Sequence, residues 1–101
     1  MVVVQNGNGM LVVTERALRA LDELRAAERP SRGQALGLVP TANGRIGLVM
    51  DVPEPGDKVF TRQGQPILYV ERTLVGRFAH RVLDYVGAPG SERFVLGRAA
   101  D

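Results

Sequence analysis

The clearest hydrophobic periodicity in the 101-residue chain lies between Thr14 and Pro30. Leu18, Leu21 and Leu24, with Ala17 and Ala20, share one helical face, and Arg16, Arg19, Asp22, Glu23 and Arg25 occupy the other. Thr14 suits an N-cap, and Glu15 places a negative charge at the positive end of the helix dipole. Pro30 has no amide proton and biases Arg29 away from helix, so a helix is expected over about residues 15–28.

The remaining pattern is strand-like. Val2–Val4 and Met10–Val13 flank Gln5-Asn6-Gly7-Asn8-Gly9, and Asn-Gly is a strong hairpin signal; residues 1–9 thus read as a hairpin arm or a loose extension. Gly7 and Gly9 lack the third glycine and the following helix start of a phosphate-binding loop. Apolar runs at Gln34–Val39, Arg45–Val52, Lys58–Thr61, Pro66–Glu71 and Glu92–Leu96 are separated by turn-forming segments such as Pro40-Thr41-Ala42-Asn43-Gly44 and Pro53-Glu54-Pro55-Gly56-Asp57. Between Arg72 and Val86 the period is ambiguous. Leu74, Phe78, Val82 and Val86 fit one helix, but Val82–Val86 also suits a strand, and Gly76 weakens a long helix by about 1 kcal/mol.

Composition narrows the function classes. Hydrophobic residues are 45% and charged residues 24%, an ordinary globular balance that points to a single domain over residues 1–101. No apolar run approaches the length of a membrane span, and no secretory signal pattern opens the chain, so a cytoplasmic location is expected. The net charge is +2, from thirteen basic residues of which Lys58 is the lone lysine, spread along the whole length. Nucleic-acid binding needs a concentrated basic patch, which leaves a weak nucleic-acid-binding module only as an alternative reading. The chain contains no cysteine, which excludes disulfides and thiolate-held metal.

Several segments in order resemble the HesB/IscA family of A-type iron–sulfur carriers. Leu11–Ala17 is similar to that family's opening strand and capped helix, and Ala35–Val39 to its second strand. Asp51–Phe60 resembles its Pro/Gly loop and short Val-Phe strand. Gly64–Val70 followed by Leu74, then Leu83-Asp84-Tyr85-Val86 and Arg93-Phe94-Val95-Leu96, resemble its later strands. The resemblance implies an α+β, mostly β domain with a compact mixed β-sheet and two helices, at about 15–28 and 73–79, followed by a strand near Val82–Val86. It also implies association into homo-oligomers.

The departures fall on the family's ligands. Its first cluster-binding cysteine lies in the loop that here reads Pro40–Arg45, and its Cys-x-Cys lies a few residues past the closing strand, where this chain ends at Ala99-Ala100-Asp101. Iron–sulfur clusters are held chiefly by thiolates. The expected function is therefore a non-catalytic interaction scaffold without a cofactor. Thr41, Asn43 and Arg45 are its candidate interaction residues, and its unidentified protein partner is sought among iron–sulfur assembly proteins. A partner that completes a cluster with another protein's ligands is the alternative reading.

No enzyme signature emerges. His80, the only histidine, needs partners to act as a base, and Asp84 at i+4 serves only if the segment is helical. Asp51, Glu54 and Asp57 lack a calcium-loop spacing and read as solvated loop charges. Ser31 and Ser91 lack a nucleophile-elbow context. Phe60, Tyr69, Phe78, Tyr85 and Phe94, with Met50, are expected in the core.

Overall fold

Thr14 opens the helix as its side chain predicts. Its backbone is extended (φ −68°, ψ 156°), and its Oγ1 accepts a hydrogen bond from Ala17 N at 3.1 Å, satisfying one of the amides that a helix start leaves unpaired. The computed structural model describes residues 9–42 and 45–98, and within them helix α1 spans Glu15–Ala27. Glu28 N and Arg29 N close the last turn on Arg25 O and Ala26 O. Arg29 then takes a left-handed φ of 51°, and Pro30 prevents continuation. Ala17 and Leu21 are fully buried, whereas Leu24 is 38% exposed, so the apolar stripe is buried chiefly over the first half of the helix.

The described strands are β1 (Val12–Val13), β2 (Ala35–Pro40), β3 (Ile46–Asp51), β4 (Lys58–Arg62), β5 (Gln65–Val70), β6 (Arg81–Val86) and β7 (Arg93–Arg98). They form two mixed sheets, ordered β1-β6-β7 and β3-β2-β5-β4. The pairs β1–β6 and β2–β5 are parallel; the neighbouring pairs β2–β3, β4–β5 and β6–β7 are antiparallel. Helix α1 packs on β5 and β6, one from each sheet, and a single apolar cluster joins all three layers through Leu21, Leu36, Leu38, Ile67, Leu68 and Leu83. Of the proposed amino-terminal hairpin, the first limb lies outside the described residues; Val12 and Val13 pair in parallel with Val82 and Leu83.

The expected second helix at 73–79 is not formed. In its place Val75–Phe78 makes one 3-10 turn. Leu74 N, Arg77 N and Ala79 N bond to the carbonyls of Glu71, Leu74 and Gly76, each three residues back, a tighter winding that stays in short pieces. Leu74 offers no side-chain cap, Ala79 is already extended, and His80 has a φ of 60° before β6 begins. The turn's purpose in packing is one residue, Phe78, which is buried in the core. Of the other aromatic residues expected there, Tyr69 is buried; Phe60, Tyr85 and Phe94, like Met50, are half-buried and pack on the core's margin. Tyr85 and Phe94 face each other across β6 and β7 with ring centroids 4.7 Å apart, a favourable cross-strand pair.

Arg62 ties the outer strand β4 to α1. Its Nη1 donates to Asp22 Oδ2 at 2.7 Å, and its Nε lies 3.7 Å from Glu15 Oε1. Replacing Arg62 with Met is expected to lower Tm slightly, and the difference should shrink at high salt because exposed ion pairs are screened. Calorimetry at low and high ionic strength checks this; a salt-independent loss would mean that packing by the arginine stem dominates.

Candidate functional site

The turn after β2 is built by Thr41. Its N and its Oγ1 both donate to Arg45 O, at 2.9 and 2.8 Å, so one threonine closes the turn with main-chain and side-chain bonds together. A Cβ on Gly47 would stand 3.2 Å from Val39 Cγ2 and 3.3 Å from Thr41 Cγ2, which shows how closely the two strands and the turn pack. Thr41 and Arg45 are exposed, and Asn43 lies outside the described residues. The structure thus brings Thr41 and Arg45 into direct contact through the backbone.

Beyond this turn, a groove of about 700 Å³ runs between β3 and β7. Its sides include Ile46 and Leu48 of β3 with Arg45 just before it, and Arg93, Phe94 and Leu96 of β7. Nothing in the sequence signals this juxtaposition, because the two strands belong to different sheets.

The other sequence candidates are accounted for by the fold. His80 is exposed, and its amide donates to Gly9 O at 2.9 Å. It immediately precedes a strand rather than lying in a helix, so the i+4 relation to Asp84 brings no hydrogen bond between them; Asp84 turns instead to Thr14. Asp57 bridges its own loop, accepting from Glu54 N at 2.8 Å and from Arg72 N at 3.0 Å, while Asp51 Oδ1 accepts from Val52 N at 2.7 Å. These are loop-shaping roles. Burial, reinforced by the carboxylates of Asp51, Asp57, Glu71 and Glu54, holds the Tyr69 phenol above the ordinary tyrosine range. Ser91 Oγ donates to Ala88 O at 3.2 Å within its turn, and Ser31 N donates to Gln34 Oε1 at 2.8 Å. Among the described residues, no group of three or more His, Asp or Glu side chains is placed to hold a metal ion, and no helix is long and apolar enough to cross a membrane.

Some of the arginines bond within the chain. Arg25 Nε donates to Gln34 O at 2.6 Å, Arg81 reaches Gly97 O and Leu96 O at 3.0 and 3.2 Å, and Arg16 lies 3.7 Å from Asp84. The network around Asp84 was invisible in the sequence. Its Oδ1 accepts from Thr14 Oγ1 at 2.7 Å and from Tyr85 N at 2.8 Å, linking the cap of α1 to the middle of β6.

No family model matches the sequence, and no curated protein is significantly similar to it. Solved structures do match in three dimensions. SufA of Escherichia coli, a protein involved in the biosynthesis of iron–sulfur clusters, superposes with a TM-score of 0.61 at 22% identity over 87% of this chain and 84% of that one. IscA with a 2Fe–2S cluster gives a TM-score of 0.56 at 18% identity, covering 88% of this chain and 85% of its own. A protein from Aquifex aeolicus solved by solution NMR gives 0.53 at 20% identity, over 92% and 97% of the two chains. The chain therefore has the fold seen in the SufA and IscA structures.

Proposed function

We infer that this chain is a cysteine-less counterpart of the iron–sulfur cluster proteins whose fold it shares, acting in the cytoplasm as a non-catalytic interaction scaffold of one domain. The observation that supports this reading is the pairing of that framework with a sequence containing no cysteine. Thiolates are the usual anchors for these clusters, and oxygen or imidazole ligands replace them only in particular centres. The proposed contact residues are Thr41, Asn43 and Arg45, in the segment where the resembling family carries its first ligand. A protein of iron–sulfur assembly, or a second copy of this chain, is the partner class that the shared fold suggests.

Anaerobic incubation with ferrous iron and sulfide, followed by desalting and visible absorption, tests the reading. The expected spectrum is featureless; a stoichiometric cluster chromophore on the purified chain would overturn it. A second reading, in which the chain helps complete a cluster held by another protein's ligands, draws support from the exposure of Thr41 and Arg45. It predicts that the chain co-purifies with an assembly or cluster protein from its native host, and recovery of neither counts against it.

A further inference from the structure

The layer between the two sheets is closed on one side by α1, which lies over β5 and β6. Between β3 and β7 the inward-facing side chains Ile46, Leu48, Phe94 and Leu96 instead reach the groove. All four are half-buried and pack against the core. Among the described residues β3 and β7 are both edge strands, each with a paired neighbour on a single side, so each has one edge open to pairing by another strand. Arg45 and Arg93 stand on its rim, both exposed, and neither has a carboxylate partner among the described residues.

These features select a kind of occupant. An apolar floor favours an apolar ligand, but two unneutralised guanidinium groups favour carboxylates, which they bind with charge-assisted hydrogen bonds. An open strand edge favours an extended backbone, whose alternate side chains then fall on one face. The geometry points to this groove as the docking site for an extended segment of a partner protein, apolar at alternate positions and acidic at one end, which adds as a strand beside β3 while its carboxylates meet Arg45 and Arg93. The proposal rests on the reading of the chain as an interaction scaffold and names the chemistry of what it holds.

The test uses the full chain and a fluorescein-labelled peptide with a glutamate pair followed by alternating valine and threonine, read by fluorescence anisotropy. Saturable binding is expected. It should weaken by about tenfold or more with the Arg45→Glu/Arg93→Glu variant, and equally when the peptide's glutamates are replaced by lysines, because like charges at an interface repel. The lysine peptide should regain affinity for the reversed variant. If that variant does not fold by circular dichroism, the peptide-side reversal alone decides the charge requirement.

Absence of saturable binding overturns the proposal, as does affinity indifferent to either charge reversal. A proline-interrupted peptide that binds as well as the original excludes strand addition. Concentration-dependent self-association that competes with the peptide assigns the groove to a second copy, and so overturns the proposed occupant. A chain that binds the peptide but also carries a cluster defeats the scaffold reading and leaves the groove standing. A chain with neither property defeats the groove alone.

Discussion

Gly37→Ala is expected to destabilise the protein by about 2 kcal/mol, within the range that overpacking costs. Gly37 on β2 lies opposite Tyr69 on β5, and the tyrosine ring lies across the glycine. A Cβ added there would sit 2.5 Å from Cζ, 2.7 Å from Oη and 2.9 Å from Cε1, closer than atoms can approach. Tyr69 alternates with Leu68 and Val70, whose side chains join the core on the other face, so the ring can yield only by turning off the glycine and exposing itself. Urea unfolding measures the loss. The double variant Gly37→Ala/Tyr69→Val should be less destabilised than the sum of the two single variants, because the second change removes what the first collides with. Strict additivity would show that the strands separate rather than the ring yielding.

Asp84→Ala is the second large effect, about 2 kcal/mol, in the range measured for hydrogen bonds to a charged group. It removes the acceptor for Thr14 Oγ1 and Tyr85 N together. Arg16 contributes less, since it is exposed and 3.7 Å away. Asp84→Asn should cost less, because both bonds fall on Oδ1, which an amide oxygen can replace. The two variants also differ from wild type in their response to acid. The bond from Thr14 above all, then the Tyr85 amide and Arg16, holds the Asp84 carboxyl below its ordinary range against the opposing effect of burial. A depressed folded value means that the unfolded chain binds the proton first. The stabilisation is therefore complete above the ordinary carboxylate range, at about pH 4, and is lost as pH falls through the folded value. Unfolding between neutral and acid pH should show wild type and Asp84→Asn converging on the acid side. A gap that stays constant with pH would mean that Asp84 acts through its shape and not its charge.

Local signals in the sequence located most elements, and long-range partnerships stayed hidden. Thr14 and Pro30 bound α1 because a cap and a helix breaker act within a few residues. Pro40-Thr41-Ala42-Asn43-Gly44 marks a turn for the same reason, and Thr41 contributes two bonds to the Arg45 carbonyl. The stretch from Leu74 to Phe78 misled because a resemblance supplied a helix where Gly76 and an uncapped start permit only a 3-10 turn. Burying Phe78 needs no more than that. Asp84 and Thr14 are seventy positions apart, and no periodicity joins them; only the parallel pairing of β1 with β6 brings the helix cap against the carboxylate. The groove escaped detection likewise. Ile46, Leu48, Phe94 and Leu96 read as ordinary core positions, and it is the two sheet edges meeting that leaves them partly open.

Fold and cargo are separable in principle, because the sheets and helix supply stability independently of the residues at one turn. The packing of Leu21 against Ile67, Leu68 and Leu83 can persist whatever stands at the turn after β2.

The most direct test of this account is elemental. The protein, produced in iron-supplemented cells and purified without oxygen, should carry neither iron nor inorganic sulfide in stoichiometric amounts after gel filtration. Equal stoichiometric iron and sulfide on the chain, with X-ray absorption showing only nitrogen or oxygen from the protein among the iron's neighbours, would contradict it.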